Sequence, residues 1–385
     1  MNTHTSLSQQ FESYLSDLKQ QGLHRQRQII CTQNTIDFSS SDYLSLASDT
    51  RIRKAYQEGF RQYSVGSTGS MVVCGYHSIH KTLEQTFAEA LGVDDCLLFS
   101  SGYAANLGLI SLLGRFNVHA LIDKGVHASI YDGLKLANLR YSRYLHVNLT
   151  DLALKIKTIS QSHVLITESV FSMSGQIAPL TEIARLGKHN ESELLVDEAH
   201  AFGVLGAQGL GGVSAAGLTQ DDVPLRIITF GKAYVSSGAI IAGRGEWIDA
   251  LLQSARSYIY STAISPAAAY GLLKTFEIIR TEDKRRTDLY DLIWYFRHKV
   301  EHSLLSWRNS SSPIQQLQLG CPYRAIDCAA FLRQRGIVCL PMRQPTVSRQ
   351  ETGLRVILNH HHEPEQIDYL FECLHEYENK YPDLR

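Results

Sequence analysis

Short, almost continuous apolar runs recur between residues 96 and 243, most of them followed by a turn and a helical pattern of about ten residues. They lie at 96–99, 120–123, 144–147, 164–168, 194–197, 227–230 and 239–242. A strand that is apolar on both faces must be covered on both faces. The alternation therefore predicts an α/β fold whose large domain holds a mostly parallel seven-stranded sheet between helices. In such sheets ligands bind beyond the carboxyl ends of the strands, so chemistry is expected just after each run.

The flanks are of different character. Phe11, Leu15 and Leu18 have helical spacing that ends at Gly22, which predicts an N-terminal arm helix over 9–22. Ser39 to Leu44 reads as a turn and cap leading into a short helix, and helical patterns follow over 50–63 and 77–91. Between these two, Val65-Gly66-Ser67-Thr68-Gly69-Ser70 and Val73-Cys74-Gly75 form a Gly/Ser-rich loop of a length usually reserved for function. After a long helical segment from Pro266, the cluster Glu282-Asp283-Lys284-Arg285-Arg286 marks a boundary. Helical patterns over 289–304 and 325–334, with short strands near 338–340 and 354–358, predict a smaller α+β C-terminal domain. The expected organisation is an arm over 1–40, a large domain over 41–280 and a small domain over 281–385, in keeping with 385 residues, too many for one small core.

A formal net charge of -1 gives no electrostatic case for nucleic acid or an anionic membrane as the main partner. Seven cysteines without paired metal-ligand spacing predict reduced thiols rather than a disulfide framework or a zinc site. Met1 to Leu7 lacks a basic segment followed by an apolar one, and no run approaches the ~18 apolar residues of a membrane span, so a cytoplasmic protein is expected.

The strand ends carry the candidate residues. Lys232 follows the apolar run Ile227-Ile228-Thr229-Phe230 and Gly231, a setting that desolvates an ammonium and turns it toward nucleophile chemistry. Asp197 ends the run Leu194-Leu195-Val196, where a carboxylate is costly without a cation or metal partner. The protonated pyridine nitrogen of pyridoxal phosphate is such a cation. Ser100-Ser101-Gly102-Tyr103 turns from a strand into a helix, whose first amides could hold a phosphate, although turns of this kind are common. His127 could lay its imidazole on an aromatic ring, or be an ordinary structural histidine. The hydroxyls of Glu168-Ser169-Val170-Phe171-Ser172-Met173-Ser174-Gly175 could meet a phenolate or phosphate, or merely shape a turn. Asp197-Glu198-Ala199-His200 also spells a helicase-like tetrapeptide, but the chain has no G-x-x-x-x-G-K-[ST] phosphate loop to accompany it. Gly206-Ala207-Gln208-Gly209-Leu210-Gly211 is not a dinucleotide fingerprint and is read as a loop.

In combination and in this order, the runs SGYAAN, HAS, ESVFSMSG, LVDEAH, TFGK and YSTAISP, from about Phe38 onward, resemble the α-oxoamine synthases. These are pyridoxal-phosphate enzymes of aminotransferase fold type I. The resemblance implies that Lys232 carries the cofactor covalently, Asp197 binds its ring nitrogen and His127 stacks on the ring. It further implies that His200 and Ser172 contact the ring hydroxyl while Thr229 and the Gly102 and Tyr103 amides hold the phosphate. Ser261 and Thr262 would reach the phosphate of the other subunit of a homodimer with shared sites. Arg355 would bind the amino-acid carboxylate, and Arg25, Ser41, Arg343 and Thr346 would lie near substrate. His80 and Glu84 match a helix that borders the active site.

The segments 252–262 and 343–347 narrow the resemblance to members that join L-alanine to a pimeloyl thioester, on coenzyme A or a carrier protein, with loss of carbon dioxide. Members that use glycine or serine are the alternative; an aminotransferase or a cysteine desulfurase is a more distant one. Arg140, Arg143 and Arg256 are the basic residues a carrier protein could use. Against the family pattern, Ser41 stands in place of Asn, Ser174 in place of an acid, and Ala201 and Ala233 in place of Gly, which bears on substrate fit more than on cofactor contacts. The segment between Arg27 and Phe38 is also short.

Overall fold

A computed structural model describes residues 6–27, 29 and 35–380, so the start of the N-terminal segment and most of the stretch 28–34, with Cys31, lie outside the described residues. Among the described residues twelve strands form: β1 Ile36–Asp37, β2 Asp95–Phe99, β3 His119–Asp123, β4 Tyr141–Tyr144, β5 His163–Glu168, β6 Glu193–Asp197, β7 Leu225–Thr229, β8 Ala239–Gly243, β9 Ile314–Gln318, β10 Ile337–Val338, β11 Leu340–Met342 and β12 Gly353–Ile357. They fall into two compact units, which part between Leu289 and Tyr290.

The larger unit, 41–172 and 176–289, contains a seven-stranded sheet of order β2-β8-β7-β6-β5-β3-β4. The five strands from β7 to β4 run parallel, and β8 lies antiparallel to both of its neighbours. The connection from β7 to β8 is too short for a crossover helix and must be a hairpin, which is why the direction reverses there. The central strands are buried almost throughout, as their composition requires, and helices such as Gly102–Leu113 and Leu180–His189 pack against the sheet. An aromatic cluster of Phe87, Phe202, Phe230, Tyr234 and Phe276, with Phe87 and Phe276 stacked at 4.1 Å, fills one part of this core.

Two local expectations are corrected. The third run forms its strand at Tyr141–Tyr144, not over 144–147. The Asp123 carboxylate accepts the Val147 N–H and holds the His146 ring at 2.8 Å, and Val147 is left-handed at φ 52°, so the chain turns away after Tyr144. Likewise no helix follows Ser39–Leu44. Asp42 instead accepts the backbone N–H groups of Leu46 and Ala47, both at 2.8 Å, and Ser45 at φ 53° breaks helical geometry. The arm helix spans Leu7–Gln20 and the longer helices Thr50–Gln62, Ser78–Leu91 and Pro266–Arg280 stand where their periodicity places them.

The second unit gathers the described residues among 1–40 with 173–175 and those from Tyr290 onward. In it β1 pairs in parallel with β10, and β11, β12 and β9 form an antiparallel sheet, with helices Pro322–Gln334 and Pro364–Lys380. No described helix is long and apolar enough to cross a membrane. The six described cysteines are free thiols.

Candidate functional site

The carboxyl edge of the parallel strands brings Asp197, Glu168, Thr229 and the turns after β2 and β3 onto one side of the larger unit. Asp197 closes β6 in register with Glu168 on β5 and Ile227 on β7. It is buried, its Oδ2 accepting from Asn106 Nδ2 at 2.8 Å and its Oδ1 from the Ala199 N–H at 2.9 Å. Both donors are neutral, and a buried carboxylate is costly without a cation nearby.

Lys232 sits three residues past β7 in a tight loop. The Phe230 N–H bonds Gly238 O, the Ser236 N–H returns to Phe230 O, and Tyr56 donates to Ser236 Oγ at 2.6 Å. Its Nζ lies 3.3 Å from Thr229 Oγ1. His127 caps the helix Ala128–Leu136, with Nδ1 facing Ser129, and the residue is exposed. Desolvation of its inner side pushes the imidazolium below its ordinary value; the Asp197 charge opposes this and Lys232 adds to it. Asp197 ends β6 and Lys232 follows the adjacent β7, at the same sheet edge that the turn after β3 reaches with His127.

The turn after β2 opens directly into a helix, as the run Ser100-Ser101-Gly102-Tyr103 predicts. Ser101 caps the helix Gly102–Leu113 by accepting from Ala104 N at 3.1 Å, which leaves the Gly102 and Tyr103 amides without helical partners. A Cβ on Gly102 would collide with Thr229 Cγ2, so only glycine lets the turn lie against β7. Ser261 donates to Ser100 Oγ at 3.4 Å within the same chain, and Thr262 bridges to Ser70. His200 is buried with Nδ1 2.5 Å from the Tyr43 hydroxyl, and the Ser172 N–H donates to Glu168 at 3.2 Å. Burial pushes the Glu168 carboxyl well up, and the Asp197 charge beside it acts in the same direction.

The donor set fits pyridoxal phosphate: free amides and a hydroxyl for a phosphate, a buried acid for a pyridinium, a primary amine for an aldehyde and an exposed imidazole for a ring. Among the described residues no group of His, Cys, Asp or Glu is arranged to hold a metal ion. Ser41 opens the turn that Asp42 stabilises.

Arg25, Arg343, Thr346 and Arg355, expected near substrate, belong to the smaller unit. There Arg25 Nη2 donates to Thr346 Oγ1 at 3.3 Å and Arg343 Nη2 to His24 O at 2.9 Å. Desolvation, with Arg25 nearby, lowers the Arg343 guanidinium. Arg355 lies on β12 opposite Gln316 and Leu340.

Sequence reasoning assigned no role to Asn106, Ser129, Tyr43 or Glu168. Asn106 stands four residues after Gly102 on the buried side of its helix, and an amide in so apolar a helix, LGLISLL, was the available signal. Glu198 of the D-E-A-H run is structural. It is fully buried, accepts the Val213 N–H at 2.8 Å and faces Arg226 at 3.5 Å. Gly211, at φ 91°, packs so closely that a Cβ there would come within 2.6 Å of the Glu198 carboxylate.

The family model described as aminotransferase class I and II matches residues 33–374. A Marinobacter nauticus protein named 8-amino-7-oxononanoate synthase is 37% identical over 94% of this chain and 95% of its own length. One of the same name from Hahella chejuensis is 39% identical over 94% of each chain. Among solved structures, 8-amino-7-oxononanoate synthase from Francisella tularensis superimposes with a TM-score of 0.80 at 30% identity, covering 90% of this chain and 98% of that one. Serine palmitoyltransferase from Sphingomonas wittichii gives 0.90 at 24% identity over 99% and 100%, a likeness of fold.

Proposed function

The chain belongs to the class I and II aminotransferase family, and on that premise we propose that it is an 8-amino-7-oxononanoate-forming acyltransferase of biotin biosynthesis. It joins L-alanine to a pimeloyl thioester. The Cα–H bond and the thioester C–S bond break, a Cα–acyl carbon bond forms, the alanine carboxylate leaves as carbon dioxide, a proton returns to Cα and the thiol is released. Bound pyridoxal phosphate supplies an aldehyde that captures an amine and a pyridinium that takes up the electron pair left at Cα.

The chain's own residues do the rest. Gly102 and Tyr103 amides and the Thr229 hydroxyl hold the phosphate, and Asp197 keeps the ring nitrogen protonated. His200 and Ser172 meet the ring hydroxyl. Lys232 would hold the cofactor covalently and, as a free amine, would move the proton at Cα. His127 covers the ring and donates to the thioester oxygen as charge gathers there. Arg355 takes the alanine carboxylate; Arg25, Arg343, Thr346 and Ser41 border the acyl group and substrate. The enzyme works as a cytoplasmic homodimer in which Ser261 and Thr262 complete the partner's site.

What carries the reading is the meeting of Lys232, Asp197 and His127 on one sheet edge in a chain whose near-full-length relatives bear this name. Purified protein with pyridoxal phosphate, pimeloyl-CoA and L-alanine is expected to yield the mass of 8-amino-7-oxononanoate. Product only with glycine or serine would transfer the enzyme to another α-oxoamine synthase group. Lys232→Ala is expected to lose the visible absorption of the bound cofactor; a retained band would overturn the lysine's role.

A further inference from the structure

His127, Ser129, Asn106 and Asp197 form one unbroken hydrogen-bonded row, and one assignment of donors satisfies every contact in it. His127 Nδ1 accepts the Ser129 backbone N–H at 3.3 Å, so that nitrogen carries no proton. The Ser129 hydroxyl, 2.8 Å from the same nitrogen, is then the donor of that contact. Its oxygen is free to accept from Asn106 Nδ2 at 3.1 Å, and the second amide hydrogen goes to Asp197 Oδ2 at 2.8 Å. Asn106 and Ser129 are 3% and 0% exposed, so water does not compete for either group. An amide hydrogen or hydroxyl left unpaired here would cost the full desolvation of that group, which makes the row stiff as well as complete.

We propose that Asn106 and Ser129 are positioning residues that hold His127 as the neutral tautomer with its proton on Nε2, and that couple this state to the charged form of Asp197. The donor count leaves Nε2 as the only ring nitrogen with a proton to give, which is what a histidine facing a developing oxyanion requires. Asn106 spends both hydrogens on acceptors. An ionised Asp197 and an accepting Ser129 oxygen therefore support one another, and the Ser129 proton is directed to Nδ1.

The titratable groups around His127 come from four elements: Asp197 at the end of β6, Lys232 after β7, Asp132 on its own helix and Glu168, whose carboxyl burial pushes up, at the end of β5. The two aspartates favour an imidazolium, whereas desolvation and Lys232 disfavour it, and two donors already aimed at Nδ1 disfavour it further. The net direction is toward the neutral ring.

The inference rests on the proposed function only for its consequence in turnover, since the tautomer is a property of the folded chain. The experiment is nitrogen NMR of the full-length protein labelled with 15N-histidine, with and without pyridoxal phosphate, His127 being identified from the spectrum of His127→Gln. The expected result is an Nε2-protonated, neutral His127 from pH 6 to 8. Ser129→Ala should mix the tautomers and weaken the acid barrier at Nδ1. Because the ring then protonates more readily, the acid limb of kcat/KM should move to higher pH by ~0.7 unit, about fivefold in the dissociation constant. Ser129→Thr, which keeps the hydroxyl, should return both readouts toward the parent. A proton on Nδ1 or an imidazolium at pH 7 in the parent protein, or an unmoved limb in Ser129→Ala, would overturn the proposal. Failure to bind pyridoxal phosphate would count instead against the cofactor reading and leave the tautomer standing.

Discussion

At Gly102 one missing methyl decides whether the turn can lie against β7. The methyl of Thr229 occupies the space a Cβ would need, and Thr229 is β-branched, so it cannot swing aside without moving the hydroxyl that faces Lys232. Gly102→Ala is therefore expected to lower pyridoxal-phosphate affinity about tenfold or more, equivalent to ~1.4 kcal/mol of lost contact. Cofactor titration followed by protein fluorescence would check it, and unchanged affinity would remove the turn from the phosphate site. Ala233 shows the opposite case. A Cβ on Gly203, at φ 88°, would lie 2.6 Å from the Ala233 methyl, so the extra carbon at 233 is accommodated by a glycine opposite.

Among elements, the helix Ser78–Leu91 carries a buried charge question onto the sheet. Glu84 accepts the Leu98 N–H at 2.9 Å and the Tyr76 hydroxyl at 2.6 Å, and burial raises its carboxyl to about 7. A group whose folded value lies above its unfolded one stabilises the protein fully below the unfolded value and ceases to do so as pH rises through the folded one. Stability should thus decline between about pH 4.5 and 7 through this residue, by roughly 3 kcal/mol. Glu84→Gln should flatten that part of a Tm-against-pH curve, and an identical slope would refute the assignment. The neighbouring His80 has the opposite sign. Desolvation lowers it to about 4, and as a neutral ring it accepts the His77 N–H and faces Ile264 O at 2.9 Å. It supports the fold above about pH 6.5 and that support disappears as pH falls through about 4.

Strands β6 and β7 are tied by Glu198 and Arg226, both buried, with Arg226 also bonded to Ser214 Oγ and Leu91 O. Arg226→Met is expected to cost about 3–5 kcal/mol because Glu198 would keep a buried charge without its partner. Combining it with Glu198→Gln should recover most of the loss in calorimetry, which a purely steric effect of the arginine would not.

For the whole molecule, the expected particle contains two 43.1 kDa chains. Sedimentation of the full chain with cofactor should show that mass, and a monomer with full activity would contradict shared sites. The layered fold was legible because strands buried on both faces leave near-continuous apolar runs, which predict a parallel sheet wherever helices alternate with them. The placement of Lys232, Asp197 and His127 was legible for the same reason: each follows a run, and all strand ends of one direction share an edge. The edge strand β4 was not legible. With a neighbour on one side only, Tyr141-Ser142-Arg143-Tyr144 keeps a mixed composition, while the more apolar stretch after it belongs to a turn pinned by Asp123.

Sequence by itself determined the α/β class, the strand ends that bear functional groups and the pattern that places the chain in its family, because these follow from periodicity and from residue types in order. Tertiary structure alone decided which polar groups meet. Nothing in the spacing of Asn106, Ser129 and Asp197 says that one amide spans the other two, since that contact depends on how two helices settle on one sheet and on the need to pair every buried donor.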